Sequence, residues 1–308
     1  MLDALAVLCG ALLLLSASTL ALRGVWPIEI LVSLAPQAAA VAALLALMMT
    51  DLGRPASATT CALAAVLFLA TARPLFDPPN RVADADFVVV WSNAFGKPDA
   101  VRRAADFAIA EGADVAAFAE LPDTASPPPA FLDAFPHRFP SGGADEDGPV
   151  VFSRVPFVKS ERLGAGRRAT VDVAIATESG PLRVLAVHAP AAWSPSKLAR
   201  QRQIIADAVA TAAASPHSVL VGDFNATAWN DSIAAPLREN PRIRLAPLGL
   251  AATWLAPFAF VGVPIDHAMA TDDLEVEARL GPPTGSDHRP LLVKVRTAQT
   301  TAVSPAPR

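Results

Sequence analysis

The chain has 308 residues, 53% hydrophobic and 18% charged, with a formal net charge of −4, a balance too apolar for an ordinary soluble domain and incompatible with disorder. The excess is local, because residues 1–76 carry only Asp3, Arg23, Glu29, Asp51, Arg54 and Arg73 as charged side chains. The remaining segment, 77–308, is also acidic overall, which disfavours tight non-specific binding to long nucleic acid, and it lacks cysteine, which excludes a disulfide framework or a thiolate metal site there.

In chain order, three runs qualify as membrane-spanning helices by length and lack of charge: Ala4 to Leu22, Ile30 to Thr50, and Ala56 to Ala72. The N-terminus MLDAL lacks the basic stretch of a signal peptide, and a second apolar run follows closely. Residues 1–76 therefore read as an anchor of three helices. Trp26 and Pro27 lie in a charge-poor first loop and suit an interfacial turn outside the cytoplasm, which places the polar domain on that side as well.

Residues 77–85 read as a polar, Pro-containing linker, and 86–297 as one domain. Phe87 to Trp91 is a compact apolar run of the kind expected for a buried strand. Asp99 to Glu111 reads as a helix with Val101, Ala105 and Ala108 on one face and Gly112 as its stop. Asp114 to Ala119 is a second buried strand, and 122–149, with its Pro run and SGGADEDG stretch, reads as loop. Further strands are predicted at 150–153, 169–177, 182–188, 218–221, 265–270, 274–278 and 291–295. A long helix runs from Pro195 to about Ala214 with Ser194 as its N-cap. The tail 298–308 reads as disordered.

Nine strands, some in hairpin-like succession and some separated by helices, predict an α+β layered sandwich. Asn93, Glu120, His188, Asp223, Asn225, Asp287 and His288 all fall at or just beyond strand ends, and Asp266 opens one. In layered sheets such residues share a rim where a pocket can form.

Gly222-Asp223-Phe224-Asn225 follows the strand SVLV, and Ser286-Asp287-His288-Arg289-Pro290 precedes LLVKV. In this order and context the polar domain resembles the endonuclease/exonuclease/phosphatase superfamily over about residues 86–297. Asn93 after FVVVWS resembles that family's first-strand asparagine, and Glu120 at the end of DVAAFAE its metal-binding glutamate. VVFSRVP resembles the strand that follows, His188 in VLAVHAP the histidine-Pro step, and Asp266 in IDH the aspartate that serves the final histidine. The resemblance implies a four-layer α/β/β/α sandwich, two packed mixed sheets flanked by helices, here preceded by three transmembrane helices as in the membrane-anchored bacterial branch. It implies a multi-pass protein of the bacterial inner membrane.

Chemistry agrees with the roles the resemblance implies. A phosphate ester yields to water only when its negative oxygens are neutralised and the water is oriented in line. Glu120, Asn93 and Asp287 are the expected metal residues, with Mg²⁺ suited to oxygen ligands and Mn²⁺ as an alternative. Asp223 is placed to orient or deprotonate the water, and Asn225 to hold the water or the phosphate. Asp266 would fix the tautomer of His288, which contacts a phosphate oxygen, and His188 would contact the phosphate or protonate the leaving group. The sequence leaves open whether Asp223 or His288 takes the proton.

His267 points to the opposite face from Asp266 in a strand and reads as structural, while His137 and His217 read as solvent-exposed loop residues. Arg200 and Arg202 read as a solvated helix face, and Trp254 as either pocket floor or core. The chain has no tyrosine, whereas abasic-site endonucleases of the superfamily carry one where His188 stands. The expected protein is thus a membrane-anchored, Mg²⁺-dependent hydrolase of phosphate esters, acting on a lipid head group or small phosphodiester beside the bilayer, with no protein partner. A DNA or RNA nuclease, or a non-catalytic binding module tethered to the membrane, are the alternatives.

Overall fold

A computed structural model describes residues 2–297 except 123–125, 141–147, 165–167, 169, 179, 250 and 259. The loop expected at 141–147, the strand start expected at Ala169 and the tail 298–308 lie outside the described residues.

Four helices precede the polar domain: α1 (Leu2–Ala21), α2 (Ile28–Val32), α3 (Ala35–Asp51) and α4 (Pro55–Thr71). Among the described residues α1 is the one helix long and apolar enough by itself to cross a membrane. The expectation of three spanning helices is corrected accordingly. Helices α3 and α4 have 17 residues each, a rise of about 26 Å against a hydrocarbon core of about 30 Å. The second predicted run is divided because Pro36 lacks a backbone N–H and suits only a first helical turn, so a new helix starts at Ala35 and α2 stands apart.

Helices α1, α3 and α4 pack through small side chains. Ala42, Ala64 and Ala65 are buried between them, and the Thr19 and Thr71 hydroxyls lie 3.2 Å apart. Large apolar groups face outward instead, with Val7 and Leu14 each 72% exposed and Leu47 69%. The predicted linker packs on the domain: Val82 is buried, and its N–H donates to Glu277 Oε2 at 2.7 Å.

The polar domain runs β1 (Phe87–Asn93), α5 (Pro98–Ala110), β2 (Val115–Ala119), α6 (Pro129–Ala134), β3 (His137–Phe139), β4 (Val150–Ser153), β5 (Phe157–Leu163) and β6 (Thr170–Thr177). It continues β7 (Gly180–His188), α7 (Pro195–Ala213), β8 (Ser218–Asp223), α8 (Asp231–Glu239), β9 (Ile243–Leu245), β10 (Asp266–Thr271), β11 (Leu274–Leu280) and β12 (Leu291–Thr297). The strands form two six-stranded sheets, ordered β11-β12-β1-β2-β4-β3 and β5-β6-β7-β8-β10-β9. Val89, Trp91, Val173, Val184, Val221 and Val293 fill the space between them. Helices α5 and α6 cover one outer face and α7 the other, so the expected four layers are present.

Three strands escaped the sequence reading, β3, β5 and β9, and each lies at a sheet edge. An edge strand pairs on one side only, so it can be short or mostly polar. β5, with Lys159, Ser160 and Glu161, has almost no apolar run. The segment read as loop also contains α6, which starts at Pro129 and buries Phe131 against Phe118 and Phe152. Helix α8 was missed because Pro236 interrupts its pattern.

Each sheet contains a parallel pair, β1–β2 joined through α5 and β7–β8 joined through α7. Parallel pairs bring two carboxyl ends to the same rim, where side chains beyond the strands can meet. Close approach of β7 and β8 requires Gly222, since a Cβ there would stand 2.1 Å from Val187 O.

Candidate active site

Four residues leave the carboxyl ends of the parallel pairs and meet across the sandwich. Asn93 ends β1, Glu120 follows β2, His188 ends β7 and Asp223 ends β8. Register puts His188 opposite Asp223, and Asp223 opposite Asp266 on β10. Asn93 Nδ2 donates to Glu120 Oε1 (3.3 Å) and Asp223 Oδ2 (3.1 Å), linking the two sheets. His188 Nε2 lies 3.3 Å from Glu120 Oε1 and 3.7 Å from Asp223 Oδ2.

Two of these turns use left-handed backbone. Glu120 has φ +51°, which a long side chain adopts only under constraint, and it aims the carboxylate into the rim. Asn225 has φ +50°, its N–H donating to Asp223 Oδ1 (2.9 Å) and its Nδ2 to Asp223 Oδ2 (3.2 Å) and Ala189 O (3.0 Å). The Asp223 carboxylate is thus held by Asn93 from the other sheet and by Asn225 from the loop that follows β8.

The second motif forms a chain of bonds. Ser286 Oγ donates to Asn93 O (2.8 Å) and accepts from His288 N (3.0 Å), so the serine ties this loop to β1. His288 Nδ1 meets Asp266 Oδ2 at 2.8 Å, and its Nε2 lies 3.7 Å from Asp223 Oδ2. Asp266 also accepts from Trp91 Nε1 (2.8 Å), and its backbone N–H donates to Thr253 Oγ1 (3.0 Å). Asp287 lines the same cavity, its Oδ2 accepting from Trp254 Nε1 at 3.1 Å.

Burial pushes the Asp223 carboxyl above the usual carboxylate range, against the pull of His288. At Asp266 burial pulls the same way, but the adjoining His288 charge outweighs it and holds the group below that range. Burial alone would favour a neutral His288, yet Asp266 and Asp223 push it up to about 10. Glu120 lies below its ordinary value because hydrogen bonding to His188 overcomes partial burial.

The donor set fits a hard divalent cation, with the carboxylates of Glu120 and Asp287 lining one cavity. Asn93, expected among the metal residues, turns its Oδ1 to the N–H of Phe95 (3.0 Å) and its amide N–H groups to the two carboxylates. In this arrangement it orients Glu120 and Asp223. Asp223, Asp266 and His288 also offer ligand atoms within 4.8 Å of one another. There Asp266 is already engaged by Trp91 and His288, so that group is a hydrogen-bonded relay more than a cage for an ion.

All eight sequence-predicted residues therefore gather at one rim. His267 is buried, its Nε2 2.8 Å from Ala226 O. The expected full exposure of His137 and His217 is corrected, as is the loop placement of His137, whereas His217 does lie in a loop. His137 stands half-buried in β3, and His217 Nε2 lies 3.6 Å from Asp273 Oδ2. Arg202 pairs with Asp231 at 3.3 Å. Two contributors went unnoticed in the sequence. Gln201 Nε2 donates to Asn225 O (2.8 Å) and Pro190 O (3.0 Å); as a polar residue on the apolar face of α7, in step with Leu198 and Ile205, it was detectable. Arg168 Nη1 donates to Ala189 O (3.0 Å) while Nη2 lies 3.9 Å from Glu120; no local pattern marked it.

The profile of the Endonuclease/Exonuclease/phosphatase family matches residues 90–288. No curated protein matches the chain. Among solved structures, an endonuclease/exonuclease/phosphatase from Beutenbergia cavernae DSM 12333 is similar over 70% of this chain and 72% of that one, at 20% identity and a TM-score of 0.57. One from Bacteroides vulgatus is similar over 68% of this chain and 98% of that one, at 16% identity and 0.54. Sphingomyelinase C from Streptomyces griseocarneus matches over 68% and 98%, at 15% identity and 0.52. At these identities the likeness carries the fold.

Proposed function

The chain belongs to the Endonuclease/Exonuclease/phosphatase family of metal-dependent phosphoric ester hydrolases, and on that premise we propose that it is a membrane-anchored, Mg²⁺-dependent phosphodiesterase of a lipid head group or small phosphodiester. One observation carries the reading: acidic, amide and imidazole side chains from both sheets converge on one cavity of about 780 Å³. Residues 1–76 serve as the anchor, inserted through α1, and 86–297 as the catalytic domain, outside the cytoplasm of a bacterial cell.

Glu120 and Asp287 would hold the ion, with Asn93 orienting Glu120. When bound, the ion offsets negative charge on the phosphate, and Mn²⁺ has the same preference for oxygen ligands. Asp223, held by Asn93 and Asn225, takes a proton from water as the water oxygen bonds to phosphorus. His288, held by Asp266, faces a non-bridging oxygen. The ester P–O bond breaks, and the leaving oxygen departs with a proton from His188.

The test is hydrolysis by the full chain in detergent micelles, with Mg²⁺, Mn²⁺ or EDTA. Substrates are a chromogenic phosphodiester, a chromogenic phosphomonoester, DNA, RNA and phospholipid vesicles, and the Asp223→Asn and Glu120→Gln variants serve as blanks. Turnover of a diester that EDTA abolishes and either variant loses supports the proposal. Full activity in either variant overturns the site assignment, and turnover of nucleic acid alone makes the protein a nuclease.

A further inference from the structure

The cavity that holds the catalytic side chains is not built by the catalytic domain alone. Ile30, Ser33 and Leu34, from α2 and the turn into α3, line it together with Glu120, Asp223 and His288. This wall is locked in place. Asn230 Nδ2 donates to Glu29 O (2.6 Å), Ser33 Oγ to Asn230 Oδ1 (2.9 Å) and Trp229 Nε1 to Val32 O (2.8 Å). The buried Glu29 carboxylate accepts from Ser232 N and Oγ at 2.9 Å each, and from Gly24 N at 2.8 Å. Trp229, Asn230 and Ser232 lie where the chain runs from Asn225 into α8, so residues 29–33 are bonded to the segment that follows Asp223 and Asn225.

Chain direction then locates the cavity relative to the bilayer. Helix α1 ends at Ala21, α3 begins at Ala35 and α4 ends at Thr71. The α1–α3 connection and the exit to the domain therefore lie at one end of the helix group, and the α2 wall belongs to that connection. The same helices present exposed apolar groups along their length, which a bilayer would cover. Inside the cavity the apolar character continues: Leu34 is 42% exposed, and Trp193 and Phe95, also lining it, are 66% and 49% exposed. Besides His288, the lining cations are Arg168 and Lys197, too few to track a polyanionic strand.

We infer that Ile30, Leu34 and Trp193 form a subsite for the apolar part of a membrane phospholipid, which enters from the bilayer holding α1 and presents its phosphodiester to Asp223 and His288. This assignment rests on the hydrolase reading above and narrows its substrate to lipid. It also makes the anchor a component of the specificity pocket, so that the two cannot be separated without loss. Apolar burial against these side chains favours the lipid, a gain that a water-soluble diester forgoes.

The experiment uses the full chain reconstituted in vesicles of phosphatidylcholine, phosphatidylethanolamine, phosphatidylglycerol and sphingomyelin, with bis(p-nitrophenyl) phosphate and single-stranded DNA as soluble substrates. Leu34→Asp and Trp193→Ala alter parts of the lining contributed by different segments, so one remains informative if the other fails to fold, and Val158→Ser on the edge strand β5, outside the lining, is the control. Expected is lipid hydrolysis by the parent protein and, in each wall variant, at least a tenfold fall in the ratio of lipid to soluble-diester kcat/KM, with the control ratio unchanged. Turnover of soluble diester or DNA without lipid overturns the inference and spares the hydrolase reading, as does an equal loss on both substrates in the wall variants. Absence of turnover on every phosphate ester overturns the hydrolase reading and this inference with it.

Discussion

Trp91, in an inner strand of one sheet, donates its indole N–H to Asp266 Oδ1 in the other sheet at 2.8 Å, across the core of the sandwich. The second oxygen of Asp266 holds His288 Nδ1, also at 2.8 Å. The packing of the two sheets and the orientation of the imidazole are therefore one arrangement. Trp91→Phe keeps an aromatic ring but leaves a buried carboxylate oxygen without its donor, which costs about 1–3 kcal/mol. The expected outcome is a lower Tm together with about a tenfold loss of kcat. A lower Tm with unchanged kcat would separate the bond from catalysis.

Asp266→Asn tests the relay itself. The amide keeps the shape of the side chain but no longer stabilises the charged His288 that Asp266 and Asp223 together sustain. Loss of an oriented acid–base partner is expected to lower kcat by about 10²-fold or more, with far-UV circular dichroism preserved. Retention of full activity would remove His288 from the reaction.

Away from the site, Asp172 on β6 is fully buried and meets Arg183 Nε at 2.7 Å, with Lys159 at 3.3 Å. Burial alone would raise its pKa, but the Arg183 guanidinium outweighs this and holds it below the ordinary carboxylate value. A depressed native pKa means that the pair's stabilisation is fully present above the unfolded value, about 3.9, and is lost as pH falls through the native one. Asp172→Asn should therefore destabilise the protein by about 3 kcal/mol near pH 7, because the guanidinium keeps Thr211 O and Ser215 Oγ but loses its buried carboxylate. The gap in Tm between variant and parent should narrow as pH falls below 4. A constant gap would mean that the loss comes from packing.

Gly222→Ala places a methyl group 2.1 Å from Val187 O, a backbone atom that cannot swing aside. Forcing β7 and β8 apart is expected to cost about 3 kcal/mol and to displace Asp223 from His188, its register partner. Both Tm and kcat should fall. Unchanged values would show that the strand pair tolerates the wider spacing.

Local sequence determined a great deal of this protein. GDFN and SDHRP, each set beside an apolar run, pointed to the candidate site, and period-two and buried patterns located the inner strands, because a strand covered on both faces must be apolar throughout. Edge strands such as β5 carry no such requirement, and their polar faces read as loop. Pairing was decided only by tertiary structure. That Asp223 stands beside His188 and Asp266, and that Asn93 joins Glu120 to Asp223, follows from registers and sheet packing between segments far apart in the chain. The place of Ile30, Ser33 and Leu34 in the cavity is the extreme case. Trp229 and Val32 are 197 residues apart, and a contact over that separation leaves no trace in local periodicity, since only the closed fold brings the two segments to the same rim.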